Sequence, residues 1–361
     1  SSPRPSAPST SWHVSRINLV RGVDYDINEM QGRLLLTRPL AQIAQANVST
    51  LFRDRPQGGY ENHLLADYEY VPSGFDSNDV TAGIRARHWF GEHVAVGGTY
   101  VDEGRSSDDY SLKGADVTLQ AGRGTYLKVE RSHSDAAVAP IFYSDNGGLS
   151  FIRTNPVTQG GRGGNATAVD AHADLRELGW SQREWTVGAW WRDVDAGYSV
   201  ARADQGLAVH EYGAQFTGQV SDGLRLSGRY SYAKRGSDAL EQGQLQLDWQ
   251  LAEKSDLIAE IRRVTETYQL RSGTGTLAAL GYTQRIGSSL DVYATGQVTL
   301  DNDNGAYPTN DAVTVGAKYQ FGDLSNAGAE VTRGSRGNAA QVNGEYRLNP
   351  DHSLYGAYTY S

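Results

Sequence analysis

Residues 310–321, NDAVTVGAKYQF, decide the fold class because apolar and polar side chains alternate along them. One set comprises Val313, Val315, Ala317, Tyr319 and Phe321, and the other comprises Thr314, Gly316, Lys318 and Gln320. Successive side chains of a β-strand point to opposite faces of the sheet. This stretch therefore predicts a strand with one apolar and one polar face.

The same alternation recurs along most of the chain in segments of about ten residues, for example at 80–90, 211–220, 290–300 and 341–348. Gly, Asn, Asp and Ser separate these segments. Short connections are predicted at 91–92, 221–223, 287–288 and 349–351, and longer ones at 102–109, 134–165 and 301–311. The pattern predicts an antiparallel meander with short turns at one end and longer loops at the other.

Composition narrows the classes of function. The chain has 42 Gly and 21 Tyr but no Cys, which excludes a disulfide framework and a thiolate metal site. A net charge of −9 argues against a nucleic-acid binder, because phosphate contacts need a basic surface. The mean hydropathy is −0.53 and no run of 18 apolar residues occurs, so a transmembrane helix is not expected. A membrane-spanning strand wall tolerates such polarity, because only alternate residues face lipid.

The alternating segments, the turn spacing and the aromatic strand ends resemble Gram-negative outer-membrane β-barrel proteins, either a porin-like barrel or the barrel domain of a large repeat-containing protein. The resemblance implies an all-β, antiparallel transmembrane β-barrel of about 16–18 strands, with short periplasmic turns and longer extracellular loops. It also implies location in the bacterial outer membrane and contact with outer-membrane lipid and lipopolysaccharide. The last strand carries Tyr358 and Tyr360, but Ser361 follows where the family usually ends on an aromatic residue.

Three parts of the chain are expected. Residues 1–11 are predicted to be a flexible Pro/Ser-rich lead-in, and 12–361 the barrel. Within the latter, residues 22–40, GVDYDINEMQGRLLLTRPL, predict two short strands around a turn at 28–32. This segment resembles one found in large outer-membrane proteins whose barrels follow repeat domains, which implies a small leading β-unit or a first hairpin.

The polar faces supply candidate lumen-lining residues, which would either brace the wall through opposite charges or set a field for passing solutes. They are Arg85, Arg87, Arg192, Arg225, Arg229, Arg285, Arg347, Glu211, Asp248, Asp291 and Glu345. The candidate aromatic girdle comprises Tyr230, Tyr232, Tyr319, Phe321, Tyr346, Tyr358 and Tyr360. Girdles form at the two membrane interfaces, although Tyr is also simply a good strand former.

Other chemistry has weaker support. Residues 134–165 either fold into the lumen as a constriction or stay outside with a short strand near 149–153. Asp301 and Asp303 suggest a calcium loop, but the glycine spacing departs from an EF-hand and no other metal site is expected. The set Asp170, His172 and Asp174 shares a strand face, and His210 adjoins Glu211, yet no nucleophile can be placed beside them. Lumenal histidines are therefore expected, with no enzymatic activity and no cofactor.

Three functions follow from these expectations. The first is an outer-membrane channel that passes small polar solutes by diffusion through a charged lumen. The second is a barrel that anchors or exports for a larger cell-envelope protein, with envelope-protein partners or flanking domains. The third is a soluble β-rich glycan-binding protein. The abundance of Ala, Gly and Val at apolar positions argues against it, because a soluble sandwich of this length would bury more Leu, Ile and Phe. None of the three involves nucleic acid.

Overall fold

The computed structural model describes residues 25–28, 33–36, 43–44, 51–53, 60–61, 80–104, 109–135, 141–143, 152–154, 163–200, 206–268, 271–303, 307–321, 325–349 and 352–360. Regular structure in these ranges is almost entirely β-strand. None of the described residues belongs to a helix long and apolar enough to cross a bilayer.

Six short strands form three two-stranded antiparallel sheets. They are β1 (Tyr25–Asn28) with β2 (Arg33–Leu36), β3 (Ile43–Ala44) with β4 (Tyr60–Glu61), and β9 (Ile141–Tyr143) with β10 (Ile152–Thr154). The β1–β2 pair lies where residues 22–40 predict two strands, and it is separate from the main sheet. Residues 1–11 lie outside the described residues, so the division of the chain into domains stays a prediction.

The main sheet contains sixteen antiparallel strands, each hydrogen-bonded to the next along the chain except that β11 follows β8 directly. The strands are β5 (Thr81–Phe90), β6 (Val94–Glu103), β7 (Tyr110–Gly122), β8 (Thr125–Asp135), β11 (Gly164–Asp174), β12 (Trp185–Val194), β13 (Val209–Ser221), β14 (Leu224–Arg235), β15 (Asp238–Ala252), β16 (Ser255–Tyr268), β17 (Arg271–Ile286), β18 (Leu290–Asp301), β19 (Ala312–Phe321), β20 (Ser325–Gly334), β21 (Gly337–Asn349) and β22 (His352–Tyr360). The predicted all-β antiparallel fold of 16–18 strands is confirmed.

The sheet has two chemically different faces. Directly paired residues share a face, and one face, here called the apolar face, exposes Val313 (58%), Val331 (60%) and Val342 (57%) on three adjacent strands. On the other, polar face, Thr314 and Thr332 are buried and their hydroxyls are 2.8 Å apart. Aliphatic side chains outside and hydroxyls inside are the reverse of a soluble core, and they match a wall that lipid surrounds.

The connections divide into two ends of the sheet. At the short-turn end, the short connections are 91–93, 123–124, 222–223, 253–254, 287–289, 322–324 and 350–351, with one longer connection at 175–184. At the long-loop end, the connections are 104–109, 136–163, 195–208 and 302–311, interspersed with two-residue connections at 236–237, 269–270 and 335–336. The predicted alternation is therefore present, although three connections at the long-loop end are shorter than expected. Because the strand number is even, β5 begins and β22 ends at the long-loop end.

Labelling of cysteines in hairpin turns tests the orientation of the two ends. Ser237 and Ser288 are exposed in turns at opposite ends of the sheet. If the longer loops are extracellular, S237C on intact cells will react with a membrane-impermeant maleimide and S288C will not. The chain has no other cysteine, so the background is clean. Labelling of S288C alone would place the longer loops in the periplasm.

Hydrogen exchange tests closure of the sheet. Strands β5 and β22 stand at the two ends of the strand order, and closure requires them to lie side by side. An unpaired backbone group costs several kcal/mol in lipid, so we expect the two strands to pair in the membrane. The amide protons of both strands should then exchange as slowly as those of the central strands β15 and β16. Fast exchange restricted to β5 and β22 would show an open sheet.

Candidate functional site

The polar face is the candidate functional site, because the strand register gathers the predicted charged residues there. Paired positions such as Arg192 and Glu211, Arg225 and Asp248, and Arg285 and Asp291 stand directly opposite each other. Tracing the register from strand to strand puts all eleven candidate residues on this one face.

The first charged cluster lies on β5, β6 and β7. Arg85 donates to Asp116 Oδ1 (3.2 Å) and to Thr99 Oγ1 (3.1 Å), and Arg87 donates to Thr118 Oγ1 (2.7 Å). The Asp116 side chain is only 3% exposed. A Cβ added at the facing Gly97 would overlap its carboxylate, so the glycine makes room for the buried acid. This cluster ties three neighbouring strands together at side-chain level.

Adjacent glycines give a matched test of this packing. In G97A the added methyl group should push Asp116 away from Arg85 and lower the free energy of unfolding by about 1–3 kcal/mol. The next residue, Gly98, is on the apolar face, where an added Cβ meets nothing closer than 3.8 Å, so G98A should stay within about 0.5 kcal/mol of the parent. Urea unfolding in lipid vesicles measures both values. Equal stability of the two variants would contradict the proposed role of Gly97.

A second cluster crosses β11 to β14. Arg192 lies between Asp170 (4.0 Å) and Glu211 (3.7 Å), and Glu211 also accepts a hydrogen bond from Arg235 (3.2 Å). The charges thus alternate in sign across four strands. Such pairs are part-exposed and individually weak, so the ladder aligns charges along the wall more than it stabilises the fold.

Arg229 is held differently, since its guanidinium stacks 5.0 Å from the ring centroid of Trp190. The Trp190 ring in turn covers Gly213 on the next strand, where a Cβ would overlap it. An arginine over an indole face keeps its charge exposed while its orientation is fixed. Arg229 is therefore an exposed charge of fixed orientation on the polar face.

The remaining candidates have simpler surroundings. Arg285 binds Asp291 through two hydrogen bonds of 2.7 and 2.8 Å, and Asp248 accepts one from Gln246 (2.9 Å). Arg225 approaches Glu184 (3.9 Å) at the short-turn end. Glu345 and Arg347 occupy polar-face positions of β21.

Residues outside the strands also lie on the polar face, which the sequence pattern does not predict. The backbone N–H of Leu51 donates to Glu260 Oε2 (2.7 Å), and that of Arg53 donates to Gln297 Oε1 (3.0 Å). Gln297 and Asn310 both return hydrogen bonds to the Arg53 carbonyl oxygen (3.2 and 3.0 Å). Residues 51–53 therefore rest on the wall formed by β16 to β20.

A loop covers the polar face elsewhere, at β7 and β8. Ser199, in the β12–β13 connection, is buried, with its N–H donating to Ser134 Oγ and its carbonyl accepting from the Tyr110 hydroxyl (both 2.9 Å). The adjacent Tyr198 hydroxyl is 2.6 Å from Ser132 Oγ. Burial raises the pKa of Tyr198, although the bond with Ser132 opposes the shift, so this phenol stays protonated in the neutral range. The predicted constriction at 134–165 falls largely outside the described residues, apart from the β9–β10 pair near the predicted strand.

The seven girdle candidates all occupy apolar-face positions. Tyr319, Phe321 and Tyr346 form a stacked row near the short-turn end, with Phe321 6.3 Å from each of the other two rings. Near the long-loop end, Tyr232 stacks 5.1 Å from Tyr212. The remaining candidates there are Tyr230, Tyr358 and Tyr360. Aromatics near both ends of the strands fit two interfacial girdles.

The strand register places His172 and His210 on opposite faces of the sheet. His172 is on the polar face and bonds the Gly124 carbonyl oxygen. The expectation of a lumenal His210 is wrong, because the register turns it to the apolar face, where it bonds Asp193 (2.9 Å) away from Glu211. Asp301 accepts the Asp303 N–H (3.1 Å). Within the described ranges, no group of three His, Asp or Glu side chains is arranged to hold a metal ion.

Comparison with known proteins gives structural neighbours only. No protein-family model matches the chain, and no curated protein sequence matches it. A mutant of the Rh. blastica porin is similar at a TM-score of 0.37 and 13% identity, over 76% of this chain and 94% of its own. The anion-selective porin from Comamonas acidovorans has a TM-score of 0.33 and 11% identity, over 73% and 90% of the two chains.

A third neighbour is a bacterial polysaccharide outer membrane secretin, with a TM-score of 0.30 and 10% identity, over 79% of this chain and 97% of its own. All three neighbours are outer-membrane proteins or porins. The class of fold rests on this chain's own strand order, register and two-faced sheet.

Proposed function

We propose that the protein is a β-barrel of the bacterial outer membrane whose polar face lines an aqueous passage for small polar solutes. The observation that carries the proposal is the segregation of the two faces. Charged candidates such as Arg85, Arg229 and Asp291 share the polar face, while exposed aliphatic and aromatic residues predominate on the opposite one. A closed sheet of sixteen strands encloses a space wide enough for water-filled passage.

The chemistry of the wall supports passage rather than catalysis. Arginines and carboxylates alternate around the face, as in the Asp170–Arg192–Glu211–Arg235 ladder. Rows of opposite charge set a transverse field that orients dipolar solutes without binding them tightly. Diffusion through such a passage needs no cofactor.

Ion selectivity gives the sharpest test of this function. In planar lipid bilayers the protein should show discrete ohmic current steps. R229Q removes an exposed positive charge from the polar face, so the reversal potential in a KCl gradient should shift toward cation permeation. Arg263 is exposed on the apolar face, so R263Q, with the same charge change, should leave the reversal potential unchanged.

Two results would contradict the proposal. Insertion into the bilayer without current in any variant would exclude an open passage. An equal shift in R229Q and R263Q would show that the polar face does not line the conducting path.

A second function, anchoring or export for a larger envelope protein, is favoured by residues 51–53, which lie on the polar face. A segment of the polypeptide inside the passage would suit a barrel that holds or conducts a polymer, with envelope proteins as partners. The soluble glycan-binding alternative has less support, because the described residues form one large sheet whose apolar face is exposed. Extraction into detergent-free buffer would favour that alternative.

A further inference from the structure

We propose that the polar face carries a binding site for an extended, arginine-containing peptide segment, and that the chain fills this site with its own residues Leu51–Arg53. The site lies on β16, β17, β18 and β20 and on the β18–β19 connection. Its occupant narrows the passage, and this last point rests on the proposed channel function.

Side chains of the wall form hydrogen bonds with the backbone of the segment. The Leu51 and Arg53 N–H groups donate to Glu260 and Gln297, which belong to one hydrogen-bonded row of the sheet through Ala279. The Gln297 amide both accepts from Arg53 N–H and donates to its carbonyl oxygen, the pattern of a strand partner. The wall thus recognises an extended backbone that crosses its strands.

The Arg53 side chain has its own binding position on the wall, at Glu330. Both Arg53 Nη atoms donate to the Glu330 carboxylate, at 2.7 and 3.1 Å, in a bidentate pair. The Tyr293 hydroxyl donates to the same carboxylate (2.7 Å), and its ring lies against Gly316, where a Cβ would overlap it. The Tyr293 hydrogen bond therefore orients this carboxylate independently of the guanidinium. Lysine could not make the same two parallel bonds.

The two preceding side chains are also accommodated. Phe52 is buried, and the Arg262 guanidinium lies 5.1 Å from its ring centroid. Arg262 donates to Glu260 (3.0 Å), whose side chain is fully buried. The Leu51 side chain points at Gly281 on β17, with a methyl group 3.0 Å from the position of an added Cβ. All three residues of the segment thus have matching surfaces on the wall.

The hydrogen bonds of the segment extend from Glu260 on β16 to Glu330 on β20. Those strands are separated by four spacings, about 19 Å along a flat sheet at ~4.8 Å each. In a closed barrel we expect a segment bound across them to narrow the passage. Releasing it should raise the conductance.

Cross-linking tests where the segment binds, independently of whether the protein conducts ions. In the full chain, L51C/G281C should be joined by a short bifunctional thiol reagent, detected by mass spectrometry of the linked peptides. The control L51C/G296C places the second cysteine on the apolar face, where nothing lies within 4 Å of the added Cβ. Linking of the first pair only supports the site, whereas equal linking or no linking of the two pairs overturns it.

Conductance tests the narrowing. In R53E the new carboxylate should repel Glu330 and release the segment from the wall. Because the released segment no longer narrows the passage, single-channel conductance should rise roughly twofold or more. R53E/E330R should restore the parent value by exchanging the charges. Arg333 is on the apolar face of β20, so R333E controls for the charge change alone and should conduct like the parent.

The two experiments separate the two proposals. Selective cross-linking with equal conductance in the parent and R53E overturns the narrowing. Selective cross-linking with no current in any variant contradicts the proposed channel while supporting the seat of the segment. A rise in R53E that E330R does not reverse contradicts the role of the Arg53–Glu330 pair.

Discussion

The structure depends on the pairing of backbone hydrogen-bonding groups from strand to strand. In lipid an unpaired N–H or C=O group costs several kcal/mol, so a wall that crosses a membrane must satisfy every one internally. The fourteen inner strands of the main sheet do this by pairing with both neighbours in register over most of their length, and closure of the sheet would do the same for β5 and β22, which each pair with one neighbour. With the backbone satisfied in this way, the side chains are free to differ completely between the two faces.

That freedom explains why small residues are so common on this chain. Gly97, Gly213 and Gly316 each leave space that a larger polar-face side chain of a neighbouring strand fills: Asp116, Trp190 and Tyr293. A soluble sandwich would need bulky aliphatic residues at such positions to form a core. Here the ladder of hydrogen bonds holds the wall, and the glycines determine where large polar-face groups can lie flat against it.

The period of two was sufficient to predict the strands, their two faces and the face on which Arg85, Arg192 and Glu345 lie. It was sufficient because face and register are local properties that follow from alternation alone. The contacts of Leu51 with Glu260 and of Ser199 with Ser134 could not be predicted, since they join residues 209 and 65 positions apart in sequence. The predicted lumenal position of His210 was wrong for another reason. His210 is next to Glu211 in sequence, and neighbouring residues of a strand point to opposite faces of the sheet.

The two segments that cover the polar face occupy special places in the strand order. Ser199 rests on β8, the fourth strand of the sheet, and Arg53 on β18, the twelfth. In a closed ring of sixteen, the fourth and twelfth members are diametrically opposed, so the two segments would lie on opposite sides of the enclosed space. Under the proposed channel function, the size limit of the passage would be set by a few polar-face residues that do not face lipid. Evolution can adjust that limit by substitution or deletion there, while the wall itself stays unchanged.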